Sequence, residues 1–339
     1  MKKISLIITT LLFSISLTAQ EEPFNPDDFE DGSTVKKYCT QKVLNQTPTK
    51  LIGIAYEYTL PFSNKENTKP PSEQKMNGMG GLRALVSFLP ISKNNFILNV
   101  GANYWASTPM INHRNLHHAG IMDKIYEGRM EVIGLYATAF KPLDQKHFLI
   151  AQLNTDAAHV QAQNGFAFKS SSITAYGSIL YGWKKGDYRM MAIGASRTYR
   201  LGRPLIVPVM LYNQTFNDHW GVEALLPARG FVRYNFSTNS MLLAGFELEG
   251  GQFQTSYQVP GIGGWVDRTV FLQRGEIKPR LQWEKRLKGF FWLSAQAGYR
   301  INGRFNIVDR YDGQEKNEIY INGWGNSPYA NIGIYFVSP

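Results

Sequence analysis

The densest chemistry in the chain lies in "LQRGEIKPRLQWE", where Arg274, Glu276, Lys278, Arg280, Gln282 and Glu284 take every second position. Period two is the repeat of one face of a β-strand, so these six side chains share a face. Adjacent stretches of the same pattern add Gln296 and Arg300 on one side and Glu247 on the other, with Glu223, Arg233, Glu57 and Arg83 on equivalent faces further round. A set like this can line a polar passage that selects solutes by charge. It can equally form a ladder of Arg and Glu pairs that fills a narrow interior and holds strands in register. Both signs are thoroughly mixed, so the formal net charge of +10 does not by itself define an anion path, and both readings stay open.

Other candidate groups are weaker. In "NHRNLHH", His113 and His117 are spaced by four, as metal-binding imidazoles on a helical turn can be, and His118 follows. Only Asp123 offers a partner at a fitting spacing, so this stretch reads as a basic outer loop facing lipopolysaccharide phosphates, with no metal and no cofactor. Ser171, Ser172 and His147 have the types of a nucleophile and base, as in a lipid-modifying enzyme, but fall at opposite ends of the strands that carry them. "DRYDGQEKNE", aligned on Gly313, puts Val308, Arg310 and Ile319 at calcium-ligand positions and fails as an EF-hand loop. "GMGGLR" opens a strand and not a helix, so it is no phosphate loop. Cys39 is the only cysteine, which excludes a disulfide framework. The basic residues form no single patch, and no nucleic-acid partner is expected.

The elements that must carry the charged faces are strands. From Thr49 onward the chain alternates: Ile52, Ile54, Tyr56 and Tyr58 oppose Gly53, Ala55, Glu57 and Thr59, and Leu82, Ala84, Val86 and Phe88 oppose Arg83, Leu85 and Ser87. Fourteen such stretches follow one another, many long enough for the about 9 to 11 residues that a tilted strand needs to cross a bilayer. The stretches 219–226 and 229–236 are the shortest, and omitting both leaves twelve. Tight connectors ("ISKN", "PLDQK", "KKGD", "FNDH", "STNS", "RLKG") alternate with long ones near 61–79, 106–129, 156–170, 251–270 and 303–325. With both termini on one side of a membrane, every tight turn falls on that side and every long loop on the other, as in outer-membrane barrels. Aromatic residues crowd strand ends (Tyr104 and Trp105, Tyr181 and Trp183, Phe216 and Trp220, Phe290 and Trp292), as in interfacial girdles. The final "YANIGIYFVSP" alternates to the end and needs a partner, most economically the first strand.

Residues 1–19 carry two lysines, an apolar stretch and a small-residue cleavage site before Gln20, the pattern of a secretory signal peptide. Residues 20–48 begin with the acidic "EEPFNPDDFEDG" and read as a disordered periplasmic leader. Residues 49–339 form the barrel.

The stretch "RPLIVPVMLYNQTFNDHWGVEALLP", with Pro208, Tyr212, Phe216, Asn217, Asp218, Trp220 and the "LLP" of Leu225, Leu226 and Pro227, resembles an uncharacterised family of Gram-negative outer-membrane β-barrel proteins, a domain of unknown function. The resemblance implies a barrel over about Lys50 to Pro339 and no catalytic residues. The chain departs from the usual barrel-assembly signal, since Phe336 is followed by Val337, Ser338 and Pro339.

The expectation is all-β: a closed antiparallel up-and-down transmembrane β-barrel of about fourteen strands, exported to the cell outer membrane. Its expected partners are outer-membrane lipid, lipopolysaccharide and the barrel-assembly machinery. The leading function is passage of a small solute through a polar, mixed-charge lumen. The alternatives are a structural or adhesive barrel with a plugged lumen and an outer-membrane lipid-modifying enzyme.

Overall fold

The computed structural model describes residues 38–66, 72–111, 121–162, 173–200, 202–261, 264–311 and 314–338. The signal stretch, the acidic residues of the leader, the His113–His117–His118 group, Ser171 and Ser172 lie outside them.

The strands in chain order are β1 (Lys50–Thr59), β2 (Phe62–Glu66), β3 (Ser72–Lys93), β4 (Phe96–Ile111), β5 (Gly128–Pro142), β6 (His147–Ala162), β7 (Ile173–Lys185) and β8 (Arg189–Thr198). They continue as β9 (Leu205–Thr215), β10 (Trp220–Leu226), β11 (Arg229–Ser237), β12 (Ser240–Gly261), β13 (Gly264–Lys288), β14 (Phe291–Tyr311), β15 (Gln314–Trp324) and β16 (Ser327–Val337). One short helix, α1 (Ile121–Glu127), precedes β5.

Each long strand pairs antiparallel with its sequence neighbours, and β1 closes the sheet by pairing with β3 on one edge and β16 on the other. The terminal alternation therefore finds the partner it requires: Ile334 lies opposite Ile54 and Asn331 opposite Glu57. With β2 and β15 standing apart, the closed ring holds 14 strands. The two shortest stretches, β10 and β11, are full members of it.

The outer face of the ring is apolar. Ile54, Leu135, Leu153, Ile179, Ile193, Ile206, Leu281 and Ile332 are all about half exposed or more, on eight different strands. A continuous apolar belt of this extent, on strands whose other face is buried and polar, belongs in hydrocarbon and defines a transmembrane barrel. Tyr181, Tyr188, Phe216, Trp220, Phe236, Phe290 and Phe291 are exposed around the tight-turn end, as an interfacial girdle. Trp105 and Trp292 correct the sequence reading: they belong to the opposite face and are buried inside the barrel.

A second correction concerns the long connectors. The stretches 251–270 and 303–325 are mostly strand, because the β12–β13 ladder runs unbroken from Ser240 opposite Lys285 to Gly261 opposite Gly264, well past the apolar belt. Antiparallel ladders gain hydrogen bonds wherever both chains continue, with or without lipid. Strands β7 to β11 end lower. Above them the free edges of β6 and β12 meet directly, in a parallel bridge between His159 and Gln254. β2 and β15 insert between β3 and β14 at the same level. The ring thus narrows outside the belt to a collar of nine strands, β6-β5-β4-β3-β2-β15-β14-β13-β12.

The collar is filled by Phe62, Met76, Trp105, Phe253, Leu272, Phe305 and Trp324, with Ile125 and Tyr126 of α1 wedged among them. Trp324 stacks on Phe305 at 3.9 Å between ring centroids.

Candidate functional site

The lumen is the site, and it is built in three levels below the collar. The middle level is a belt of ion pairs. Arg83 of β3 reaches Glu57 of β1 at 3.0 Å and Glu249 of β12 at 2.7 Å. Lys278 of β13 bridges the same two carboxylates, at 2.7 Å from Glu57 and 2.8 Å from Glu249. Arg280 holds Glu247 at 2.7 Å. Glu276 sits between two guanidiniums, Arg274 at 2.6 Å and Arg300 at 3.0 Å, and all three are buried. Arg300 also donates to the carbonyl of Gly325, where the chain breaks between β15 and β16. Arg274 stands 4.6 Å from the centre of the Trp105 ring, a cation–π contact across the lumen. Burying so many charges is tolerable because each meets an opposite charge with directed hydrogen bonds.

The inner level lies nearer the tight turns. Arg233 pairs with Glu223 at 2.5 Å, Lys50 with Glu284 at 2.8 Å, and Gln282 donates to Glu284 at 2.5 Å. Gln296 lies opposite Gln282 in the ladder and faces the space between the levels.

The lowest level was not foreseen. Residues 38–48, which the sequence reading assigned to the disordered leader, dock inside the mouth of the barrel. Lys184 donates to the carbonyls of Thr40 and Lys42, and to the Thr40 hydroxyl. Glu223 accepts from both the backbone N–H and the hydroxyl of Thr47, at 2.9 Å each. Thr215 and Asn235 donate to the carbonyls of Leu44 and Asn45, and the N–H groups of Cys39 and Leu44 donate to the turn carbonyls of Asp144 and Asp187. Cys39 and Val43 are its buried apolar anchors, packed against Phe140, Phe148, Leu180 and Met190. Burial pushes the Cys39 thiol above its ordinary pKa, partly countered by Lys184.

Three neighbouring cavities lie along these levels. A side cavity of about 230 Å³ opens below the β6–β12 bridge, between Asp156, Tyr176, Tyr199 and Arg200, where the short strands end. It shares Arg83, Trp105 and Glu249 with a middle cavity of about 270 Å³. That one shares Lys50, Arg280 and Gln296 with an inner chamber of about 570 Å³, whose floor is the docked segment from Gln41 to Lys50. The ion belt narrows the way between the cavities, and the segment ends it.

All twelve residues singled out as lumen-lining (Glu57, Arg83, Glu223, Arg233, Glu247, Arg274, Glu276, Lys278, Arg280, Glu284, Gln296 and Arg300) lie on the interior side, in the ion-pair belt and the inner level. Glu249 was missed, although it continues the alternation of Glu247, because the strand was ended at Leu248. Asp156, Tyr176, Lys184 and Arg200 were missed because nothing in their local sequence marks them as opposing the belt.

A further buried group lies on the opposite face. Glu131 shares the side of β5 that bears the exposed Leu135, yet is buried, accepting from Tyr104 at 2.5 Å and Gln161 at 2.5 Å, with Arg129 at 3.3 Å and His159 at 3.4 Å. His147, the base of the enzyme reading, is held at the tight-turn end by Asp144 at 2.8 Å and stacks on Tyr181. Among the described residues no cluster of three or more His, Cys, Asp or Glu could hold a metal ion.

An apolar-belted barrel with an ion-paired interior defines a transmembrane β-barrel whose lumen is its distinctive feature. The chain belongs to the family described as a domain of unknown function (DUF6268), which matches residues 52–337. No curated protein matches it. Among solved structures it is similar to the COG4313 outer membrane channel from Pseudomonas putida F1, at 11% identity over 86% of this chain and 97% of that one, with a TM-score of 0.41. It is also similar to the P. putida toluene transporter TodX, at 9% identity over 87% and 92% of the two chains, with a TM-score of 0.39. The translocator domain of the autotransporter NalP from Neisseria meningitidis gives 9% identity over 84% and 88%, with a TM-score of 0.25.

Proposed function

We propose that this protein is an outer-membrane channel for a small polar or amphipathic solute, narrowed by its ion belt and held closed by its own N-terminal segment. The observation that carries the reading is the row of three cavities, from a side opening at the end of β7–β11 to a chamber floored by residues 41–50. A barrel that served only as a scaffold would gain nothing from a row of polar spaces, since a void forfeits the packing contacts of its lining. The segment that ends the path is also suited to leave. It is held mostly by hydrogen bonds to the wall, each worth about 1 kcal/mol net in water, with two buried apolar side chains.

The side opening sits where a solute at the membrane surface would meet it. Ile173 and Ile206, at the outer ends of β7 and β9, are exposed and apolar, so hydrocarbon extends nearly to the level at which those strands stop. Access would then run from the outer headgroup level, past Tyr176 and Arg200, toward the belt.

The rival reading, a structural barrel with a plugged lumen, is favoured by one observation, the direct β6–β12 bridge with α1 packed beneath it. Planar-bilayer recordings separate the two. A channel opens only briefly and rarely as the full chain, when the segment leaves, and conducts steadily when residues 38–48 are deleted; a structural barrel stays silent in both forms.

A further inference from the structure

The inner chamber has an unbalanced lining. Lys42, Lys50, Arg229 and Arg280 face it, against Glu223 alone. Glu223 is already engaged by Arg233 and Thr47, and Lys50 and Arg280 are engaged by Glu284 and Glu247. The Arg280 side chain is itself only 10% exposed and reaches the chamber with its charge already shared with Glu247. Arg229 sits at the outer end of β11 and Lys42 comes from the docked segment, so the cations approach the chamber from opposite sides. Beside them the wall is apolar, formed by Leu211, Phe231 and Leu243 with Tyr136. A volume of about 570 Å³ is in the range of small-molecule sites, which combine such apolar walls with a few placed polar groups.

We propose that the inner chamber binds a small organic anion, a carboxylate carried on an apolar or aromatic body, and that Lys42 makes the docked segment part of the site. The carboxylate lies toward Lys42 and Arg229, and its body packs against Phe231 and Leu243. Gln282 and Gln296 supply neutral hydrogen-bonding capacity beside them. Inorganic phosphate satisfies the charge but leaves the apolar wall uncovered, which is why an organic carboxylate fits better. Burial holds the Lys42 ammonium below its ordinary pKa, and Glu223 only partly offsets this, as expected of a cation short of a counter-charge. The inference rests on the channel reading and names its solute class.

The test is isothermal titration calorimetry on the full-length protein in detergent, with benzoate, its neutral analogue benzamide, and inorganic phosphate. Benzoate is expected to bind saturably, with benzamide and phosphate much weaker. Lys42→Gln and Arg229→Gln, each checked for an intact barrel by heat-modifiable gel mobility, are each expected to weaken benzoate about tenfold, as loss of a charge-assisted hydrogen bond does. No heat with benzoate, equal binding of benzamide or phosphate, or unchanged affinity in both variants overturns the assignment. Calorimetry and conductance fail separately: conduction after deletion of residues 38–48 without benzoate binding by the full chain rejects this site and leaves the channel, whereas binding without conduction leaves a receptor chamber in a closed barrel.

Discussion

The Arg83 guanidinium stands 2.7 Å from the Glu249 carboxylate, although four strands separate β3 from β12 in the ring. A wall-to-wall ion pair of this kind means that the lumen is no wider, at that level, than two side chains end to end. The belt therefore acts on both questions the protein poses, how the barrel is held in shape and what stops a solute.

Glu276 is the keystone of the belt's most buried part, between Arg274 and Arg300. Replacing it with leucine strands two guanidiniums away from water, and loss of one partner in a buried ion pair costs about 3–5 kcal/mol. Glu276→Leu is expected to lower the temperature of the folded-to-unfolded mobility shift on denaturing gels. Arg197→Gln, at an exposed position near the outer end of β8, is expected to leave that temperature unchanged.

Cys39 reports whether the segment is docked. The residue is 8% exposed, and burial raises the pKa of its thiol, so the reactive thiolate is scarce near neutral pH. Maleimide labelling of the native protein is expected to be slow. Lys184→Met removes the donor to Thr40 and Lys42 and is expected to accelerate labelling at least about tenfold, the effect of losing about 1.4 kcal/mol of docking energy. Equal labelling rates would show that Lys184 does not hold the segment.

The turn that receives Cys39 has its own pH dependence. The His147 ring, followed by the backbone N–H groups of His147 and Lys146, pulls the Asp144 carboxyl down to about 2. A depressed carboxyl pKa stabilises the folded turn at pH above the unfolded value of 3.8, and this contribution is lost as pH falls from there through about 2. Amide exchange at Lys146 and His147, corrected for intrinsic rate, is expected to stay protected at pH 5 and to rise toward pH 2. In Asp144→Asn the protection should no longer depend on pH over that window.

Much of the barrel was legible because the bilayer imposes two opposite solvents on one strand. Leu153 must face lipid and Arg233 must not, so alternation alone sorts them, and closure follows once the last strand needs an edge to pair with. What alternation cannot give is distance across the lumen. Arg83 and Glu249 are 166 residues apart in the chain, and nothing local to either names the other. Trp105 and Trp292 were misplaced for a related reason: an aromatic near a strand end suits the interface by composition, but its parity puts it inside. Residues 38–48 were read as disordered because they are polar and follow an acidic stretch. Their partners, Lys184, Thr215, Glu223 and Asn235, lie 142 to 190 residues further on. The narrowed collar escaped notice because β-ladders continue past the lipid without any change in local pattern.

The most direct measurement is a redox lock on the docked segment. The Cys39 N–H donates to the Asp144 carbonyl at 3.1 Å, so Asp144→Cys places two thiols on backbones that are directly hydrogen-bonded, the kind of close approach a disulfide needs. Planar-bilayer recordings would be made on this variant, oxidised and then treated with dithiothreitol. The closed-channel account expects silence while the disulfide holds the segment and discrete openings after reduction. Identical recordings in the two states, silent or conducting, would contradict it.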